Sequence, residues 1–348
     1  MRYNFLILVA FVFGFLATNI PRNYLLHSPQ YVKNHFPTEL KEVSLFLKES
    51  VDFGIIYEEL AQQNVQIDRD IFDWALHLSG WKSVPRGHYT FDTELGLEEQ
   101  FNKLGRGLQD PITLTILPGL EKNALFTSLA AQTIHEVGDF KQTLRDYEFL
   151  EDQGTDSSMV LGMLSPESYE IYWTSSPKQI LSRLIQERVR QKNELYSSVE
   201  NPKYSWKDYI IMASIIEWEY KFEEEKQRIS GLYWNRIEQR MRLQADPTVN
   251  FALGERRRLL YRDYAFEHPY NTYIHRGLPP GPITNPSYSS ILAAMTPEKH
   301  NYLYMVANPE GTHTFSTNYA DHQKAAKLWQ DWIQEQYRIK RRNNLNGE

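Results

Sequence analysis

Hydrophobic and polar positions divide the chain into an apolar N-terminal stretch followed by two regions of mixed periodicity. Residues 3–21 contain no charged side chain and are almost wholly apolar, with Arg2 before them and Arg22 after them. About 20 apolar residues suffice to cross a bilayer. The pattern predicts a transmembrane signal-anchor over residues 1–22. A cleaved signal peptide is the alternative, but "GFLATN" matches a small-residue cleavage site poorly.

A short linking segment and a compact module follow the apolar stretch. Residues 23–39 carry scattered polar positions with Pro29 and Pro37, which predicts a tether. Alternation then predicts a strand at "EVSLFLKES", and 3.6-residue periodicity predicts helices at "DFGIIYEELAQQN" and "DRDIFDWALHLSG". A second strand at "PRGHYTFD" and a helix at "GLEEQFNKLGRGL" complete a small αβ module over residues 40–110. We expect Asp68 or Asp70 to cap its second helix and Gly80 to end it.

The remaining chain has the patterns of a larger mixed α/β domain over residues 111–340, followed by a polar tail at 341–348. An alternating strand, "ITLTILPG", comes first, and long helical segments such as "SPKQILSRLIQERVRQKNELY" come after it. Another helix is predicted to start near Ser205, where Asp208 completes a variant of the capping box. The fold class expected for the whole chain is α+β.

Composition and charge narrow the range of functions. The chain has 348 residues, of which 41% are hydrophobic, which is enough for two domains. Its net charge of −6, with basic residues clustered only in the tail at 338–344, argues against a nucleic-acid partner. The absence of cysteine excludes disulfides, thiolate catalysis and cysteine-bound metals. His313 and His322 lack the spacing of a zinc site, so no metal is expected. No cofactor is expected either.

One acidic residue, Glu217, lies inside the apolar segment "YIIMASIIEWEY". On a helix it shares a face with Ile210, Ala213 and Ser214. An ionised carboxylate is poorly solvated in such surroundings, so Glu217 is a candidate general acid that keeps its proton until a leaving group takes it. From periodicity alone, a structural Glu paired with an Arg or Lys is the slightly stronger interpretation. The following residues 223–225 are typical of solvated helix surface.

Candidate binding residues come later in the chain. Asp246-Pro247 is typical of a helix start that Gly254 would close, and capping is the simpler role for Asp246. A proline-stiffened loop then presents two aromatic rings beside two hydrogen-bonding side chains, from Tyr270, Asn271, Thr272 and Tyr273. Such a combination suits a polyhydroxylated ligand with apolar ring faces and polar edges.

Four dense blocks carry a resemblance to a known family. "ASIIEWE", "NRIEQRMRLQADPTV", "YNTYIHRGLPPGPITNP" and "YLYMVANPEGTHTFSTNYADH" resemble, in order and spacing, the signature of the endolytic murein transglycosylases, the MltG (YceG-like) family. "RGHYTF" and "ITLTILPG" resemble the family more loosely. The resemblance covers residues 40–340. It implies a LysM-like module at 40–110 and a YceG-like catalytic domain at 111–340.

The resemblance also implies a reaction. Such enzymes are lyases that cleave the MurNAc-β-1,4-GlcNAc bond of nascent peptidoglycan strands without water and leave 1,6-anhydro-MurNAc ends. Glu217 matches the catalytic glutamate and would act first as general acid and then as base, with no cofactor. Substrate binding is assigned by the same resemblance to Gln244, Asp246, Tyr270, Asn271, Thr272 and Tyr273.

The family resemblance extends to location and partners. It implies a single-pass protein of the cytoplasmic membrane, with the catalytic domain on the extracytoplasmic side. Its partners would be peptidoglycan glycan strands, the membrane through the N-terminal helix, and peptidoglycan synthases or division machinery.

The chain departs from the family pattern at several positions. In "VLGMLSPESY", Leu161 replaces a Glu, and Glu167-Ser168 replaces Asp-Thr. Ser287 replaces a Gly, where we expect only a turn to change.

Two other functions stay open. A hydrolytic muramidase needs a second carboxylate near Glu217, which Asp246 or Glu219 could supply. A non-catalytic wall protein would bind peptidoglycan through the LysM-like module alone.

Overall fold

The computed structural model describes residues 21–22, 24–37 and 39–345. The predicted signal-anchor at residues 1–22 lies outside the described residues, except for its last two positions. Within the described ranges, every helix is too short or too polar to span a bilayer. The chain forms two compact units. The first contains the described residues up to Leu114 together with Ala131–His135 and Tyr169–Ser176, and the second contains the rest.

The first unit contains the predicted order of strand, helix, helix, strand and helix. Strands β1 (Glu42–Leu47) and β4 (Gly87–Asp92) pair antiparallel, with Glu42 opposite Asp92 and Leu47 opposite Gly87. Between them lie β2 (Val51–Asp52), α2 (Phe53–Gln62), α3 (Arg69–Ser79) and β3 (Ser83–Val84), and α4 (Leu97–Gly105) follows. Alternate residues of β1 are buried, as a strand with one solvated face requires. The LysM-like character of this unit stays a prediction.

Local signals in α3 act as predicted. Asp68 accepts a hydrogen bond from the Ile71 N–H, and Gly80 ends the helix in the left-handed conformation at φ +75°. The apolar faces of α2, α3 and α4 meet in a cluster of aromatic rings. Phe101 packs edge-on against Phe53 and Phe72, with ring centroids 5.2 and 4.8 Å apart.

Residues 24–37 differ from the predicted tether. Residues 24–27 are helical, and α1 (Pro29–Lys33) has proline at its start, where the missing N–H costs nothing. Four apolar side chains are buried in the core of the first unit, namely Leu26, Tyr31, Val32 and Phe36. Burial of these side chains holds the segment against the unit, so from Leu26 onward it forms part of a folded domain.

The boundary between the units also differs from the predicted division after residue 110. Strand β5 (Pro111–Thr115) pairs with β6 (Ser168–Tyr172) in a two-stranded sheet. Because this ladder holds the two segments together, Tyr169–Ser176 belongs to the first unit although it lies far along the chain.

The second unit is mainly helical. Its helices include α5 (Lys122–Gln132, whose last two residues belong to the first unit), α6 (Val137–Thr143), α7 (Tyr147–Asp152), α8 (Val160–Met163), α9 (Pro177–Ser198), α10 (Trp206–Glu219), α11 (Lys226–Glu238), α12 (Asp246–Leu253), α13 (Tyr288–Met295) and α14 (Tyr319–Leu345). Short 3-10 turns occupy Glu223–Glu225 and Tyr261–Ala265. A hairpin of β7 (Tyr304–Ala307) and β8 (His313–Ser316) packs against the start of α14. Helices combined with small sheets agree with the predicted α+β class.

Helix α10 lies at the centre of the second unit. It packs against α11, α12 and α13, and every residue from Tyr209 to Glu217 is buried. A helix buried all round has no polar stripe, because packing rather than amphipathicity fixes its orientation. The helix ends at Glu219, two residues beyond this buried segment.

Candidate active site

Helix α10 has well-defined ends. Ser205 Oγ accepts a hydrogen bond from the Asp208 N–H at 3.2 Å, and Asp208 Oδ2 accepts one from the Ser205 N–H at 3.2 Å. This is the predicted capping box. At the other end, Tyr220 is extended, so Glu219 is the last helical residue. Glu217 and Glu219 are two positions apart on a helix, which separates their side chains by about 200°. They therefore face different surroundings.

Glu217 faces the start of α13. It is 8% exposed, and its Oε2 accepts hydrogen bonds from the Ser287 N–H at 2.9 Å and from Ser287 Oγ at 2.6 Å. Ser287 Oγ also caps α13 by accepting from the Ser290 N–H at 3.2 Å. Lys226 Nζ lies 3.4 Å from the same Oγ. Ser287 therefore does more than change a turn, since it joins the end of α10 to the start of α13.

A cavity of about 430 Å³ lies on the other side of the α10 terminus. Its polar lining consists of Glu219, Tyr233, Arg236, Gln244, Asp246, Tyr264, Tyr273, Tyr304, His313, Tyr319 and His322. Glu217 is not among its lining residues. The cavity combines aromatic ring faces, an amide and two carboxyl groups, a combination suited to a sugar chain.

Glu219 is the carboxyl group contributed by α10. Tyr233 Oη donates a hydrogen bond to Glu219 Oε1 at 2.5 Å. Burial raises the pKa of Glu219 to about 7. The Tyr233 hydrogen bond opposes this rise in pKa, the negative charge of Asp246 adds to it, and the positive charge of Arg236 opposes it. A carboxyl group with such a pKa can both donate and accept a proton near neutral pH.

Asp246 is the second carboxyl group of the cavity. It is the first residue of α12, whose N-cap is Ala245, and its side chain makes no capping bond. Instead, Tyr273 Oη donates to Asp246 Oδ1 at 2.6 Å. Burial raises the pKa of Asp246, and hydrogen bonds from Tyr273 and Tyr264 limit that rise. The prediction that Asp246 caps the helix is therefore wrong, and its carboxylate faces the cavity instead. Gly254 closes the helix at φ +69° as predicted.

Arg236 supplies a fixed positive charge. Its side chain is 7% exposed. Arg236 Nε donates to the Leu303 carbonyl at 2.6 Å, and Nη1 donates to the Leu243 carbonyl at 2.5 Å. Burial, followed by the charge of Arg236, lowers the pKa of His322. The imidazole of His322 is therefore expected to be neutral at pH 7.

Three of the six predicted binding residues line the cavity: Gln244, Asp246 and Tyr273. Gln244 adopts the left-handed conformation at φ +49°, which is uncommon for a residue with a side chain. Its N–H donates to the Thr272 carbonyl at 3.2 Å. The strained backbone thus fixes Gln244 relative to the loop that carries Tyr273.

The other three predicted residues are not among the residues that line the cavity. Asn271 is fully buried; its Nδ2 donates to the Tyr264 and Phe266 carbonyls, and its Oδ1 accepts from the Tyr273 N–H. Thr272 is also buried, and its Oγ1 accepts from the Ala245 N–H at 3.0 Å. The Tyr270 ring packs on Phe251, with centroids 4.7 Å apart. Their contacts support the loop, and a role in substrate binding stays a prediction for all three.

Several lining residues were not predicted as site residues, notably Tyr233, Arg236 and Tyr264. Glu219 was considered only as a second carboxylate for hydrolysis. The i,i+3 spacing of Tyr233 and Arg236 places both on one face of α11, which is a signal that could have indicated a shared surface. Leu161, at a position where the sequence resemblance implied a Glu, is a buried core residue of α8. Glu167 accepts a hydrogen bond from Gln191 at 3.3 Å.

Comparisons with known proteins show which family the chain resembles. The model of the YceG-like family matches residues 47–328, which include every residue that lines the cavity. The chain is 29% identical over 290 residues to the endolytic murein transglycosylase of Bacillus subtilis, covering 78% of this chain and 80% of that protein. It is 25% identical over 292 residues to the protein of the same name from Streptococcus pneumoniae serotype 2, covering 73% of this chain and 52% of the relative. The chain thus spans about half the length of the streptococcal relative.

A solved structure is also similar. It is a YceG-like protein from Listeria monocytogenes, with 28% sequence identity and a TM-score of 0.55. The similarity covers 82% of this chain and 99% of the other. The family match extends over most of the sequence and includes the cavity, its two carboxyl groups and the helices that carry them. On this evidence the chain belongs to the YceG-like family.

Proposed function

We propose that this chain is an endolytic lytic transglycosylase that cleaves inside peptidoglycan glycan strands. Its relatives carry the name endolytic murein transglycosylase. The observation that carries the proposal is Glu219, a carboxyl group with a pKa of about 7 at the wall of a cavity lined by aromatic rings and an amide. One group that titrates near neutral pH can serve both proton transfers of this reaction.

The proposed chemistry consumes no water. Protonated Glu219 donates its proton to the glycosidic oxygen between MurNAc and GlcNAc, and the bond from C1 to that oxygen breaks. The O6 hydroxyl of the same MurNAc attacks C1, which forms the 1,6-anhydro bridge. The Glu219 carboxylate accepts the O6 proton and returns to its starting state. Because the nucleophile belongs to the substrate, one carboxyl group is sufficient, in contrast to hydrolysis by two carboxyl groups.

The choice of Glu219 departs from the sequence-based assignment to Glu217. Two hydrogen bonds from Ser287 already occupy Glu217 Oε2, and Glu217 lies outside the cavity lining. Glu219 lines the cavity together with Gln244 and Tyr273. The contacts support a structural role for Glu217 and the acid-base role for Glu219, and paired variants distinguish the two assignments.

The test uses the full-length chain in detergent with purified glycan strands. We expect 1,6-anhydro ends by mass spectrometry and a fall in rate of about 10²–10⁴-fold in Glu219→Gln. Glu217→Gln is the matched comparison, because it makes the same chemical change two residues earlier. The assignment to Glu219 fails if Glu219→Gln is active, and the assignment to Glu217 holds if Glu217→Gln is inactive while still folded.

A hydrolytic muramidase is the second candidate. The observation in its favour is that Glu219 and Asp246 line the same cavity, as the two carboxyl groups of a glycosidase do. The products of a muramidase would be reducing ends heavier than anhydro ends by one water.

A third candidate is a non-catalytic wall-binding protein, which predicts glycan binding without any new chain ends. The same mass spectra therefore separate all three.

We further propose that residues 1–22 anchor the protein in the cytoplasmic membrane and that the catalytic unit lies outside the cytoplasm. The support is the uncharged stretch at residues 3–21 between two arginines. The LysM-like module at 40–110 would bind glycan, and synthases or division proteins would be neighbours. Protease added to intact spheroplasts should degrade the second unit, whereas protection of that unit would contradict this orientation.

A further inference from the structure

Of the two carboxyl groups of the cavity, one lies at the C-terminus of a helix and the other at the N-terminus of another helix. Glu219 is the last residue of α10, and Asp246 is the first residue of α12. A helix carries about half a negative charge at its C-terminus and half a positive charge at its N-terminus. The backbone therefore disfavours a negative charge on Glu219 and favours one on Asp246.

Hydrogen bonds strengthen this difference. Tyr273 donates to Asp246 at 2.6 Å, and Tyr264 also bonds to the Asp246 carboxylate. Two phenol donors favour an ionised acceptor. Glu219 has one phenol donor, Tyr233, on Oε1. Asp246 thus has two phenol donors and Glu219 has one, so the acidic proton of the pair is expected on Glu219.

We propose that Asp246 is a positioning residue whose negative charge keeps the acidic proton on Glu219 until the glycosidic oxygen accepts it. This inference rests on the proposed function, in which Glu219 is the acid. It gives Asp246 an electrostatic role distinct from the sugar binding that the sequence implied. A pair of titratable groups whose surroundings push their pKa values apart is the usual basis of such a division of roles.

The other charged and titratable groups around the cavity come from four further elements. Arg236 on α11 is the opposing charge, and backbone carbonyls hold it in place. His313 on β8 contacts Glu225, with 3.1 Å between Nδ1 and Oε2. His322 on α14 has a lowered pKa, and its ring stacks on Tyr304 of β7 at 5.4 Å. Among the lining residues, Asp246 is the one carboxyl group besides Glu219, so its negative charge is the one that acts on Glu219.

The experiment measures kcat/KM against pH for the full-length wild type and for Asp246→Asn. Asparagine keeps the shape of the side chain and an acceptor for Tyr273 but removes the charge. We expect the alkaline limb of the profile to move to lower pH by about one unit. Asp331→Asn is the control, because it removes the same charge from an exposed side chain of α14. Its profile should match the wild type.

A second readout does not depend on activity. ¹³C NMR of the carboxyl carbons follows the titration of Glu219 directly, and its resonance is identified by its absence from Glu219→Gln. Asp246→Asn should lower the pKa of Glu219, and Asp331→Asn should leave it unchanged. An unchanged Glu219 titration in folded Asp246→Asn overturns the inference, as does a uniform loss of rate without movement of the limb. If the wild type makes no anhydro ends, the proposed function fails, while the NMR titration still decides the electrostatic relationship.

Discussion

Tyr233 Oη donates a hydrogen bond to Glu219 Oε1 across 2.5 Å, joining the middle of α11 to the last residue of α10. The bond stabilises the ionised form of Glu219 and so opposes burial, which stabilises the protonated form. The pKa of about 7 is the result of these opposed effects, and the hydrogen bond can be removed by one substitution.

The first prediction concerns Tyr233→Phe. Loss of the hydrogen bond should raise the pKa of Glu219 above about 7, because only the ionised form gains from the donor. The alkaline limb of kcat/KM should move to higher pH, opposite in sign to the change expected for Asp246→Asn. A movement in the same direction for both variants would contradict the electrostatic account of the cavity.

The second prediction concerns stability and pH. The pKa of Glu219 is 4.5 in the unfolded chain and about 7 in the folded one, so the folded state binds more protons between these values. The contribution to the free energy of unfolding is complete below pH 4.5 and is lost as the pH rises through 7. Glu219→Gln stays neutral and should therefore be more stable than the wild type at pH 8, by about 1–3 kcal/mol.

Urea denaturation at pH 4 and pH 8 measures this difference. The gain in stability should be present at pH 8 and absent at pH 4. Glu238→Gln is a matched control, because Glu238 is an exposed carboxylate whose pKa is lowered by its bonds to Lys203 and Tyr204. It should give no gain at pH 8. Equal stability of Glu219→Gln and the wild type at pH 8 would mean that burial of the ionised group has no cost.

The third prediction concerns Asn271. Its side chain bonds to two carbonyls and to the Tyr273 N–H, all within a buried loop. Asn271→Ala leaves these groups unpaired and should lower the free energy of unfolding by about 2–4 kcal/mol. Thermal unfolding of the purified chain measures the loss. A raised KM at unchanged stability would instead support the substrate-binding role that the sequence predicted.

The fourth prediction concerns Ser287, at a position where the sequence resemblance implied glycine. Ser287→Gly removes the Oγ bond to Glu217 and the side-chain cap of α13, and should lower the free energy of unfolding by about 1–2 kcal/mol. Because neither residue lines the cavity, the pH profile should keep its position. Ser287→Thr keeps the hydroxyl and should retain most of the stability.

Local signals were sufficient for much of the fold. Alternation of apolar and polar residues predicted β1. The cap at Asp68 and the glycine at position 80 predicted where α3 begins and ends. The tether was misjudged because Leu26 and Phe36 are buried by residues distant in sequence, which local polarity does not reveal. The boundary near residue 111 was missed for the same reason, since β5 pairs with a strand more than 50 residues later.

The site was harder to predict than the fold. Analysis of helix faces correctly found Glu217 in apolar surroundings, but α10 is buried on all sides, so burial alone did not distinguish a structural carboxyl group from a functional one. The surroundings of the two carboxyl groups differ at the end of the helix, where Glu219 faces residues from α11, α12 and a distant loop. Gln244 and Tyr273 were predicted from composition and family resemblance, whereas Arg236 required the packing of α11.

The position of Glu219 at the end of a buried helix has an evolutionary consequence. The interior of α10 is constrained on every side by packing, and few substitutions there would be neutral. Its last residue, Glu219, is under a further constraint, because it also lines the cavity. Selection can therefore act on cavity-lining residues at helix ends, such as Glu219 and Asp246, separately from the buried interior of α10. Laboratory evolution of a new cleavage specificity should accordingly enrich changes at helix ends and leave the helix interior untouched.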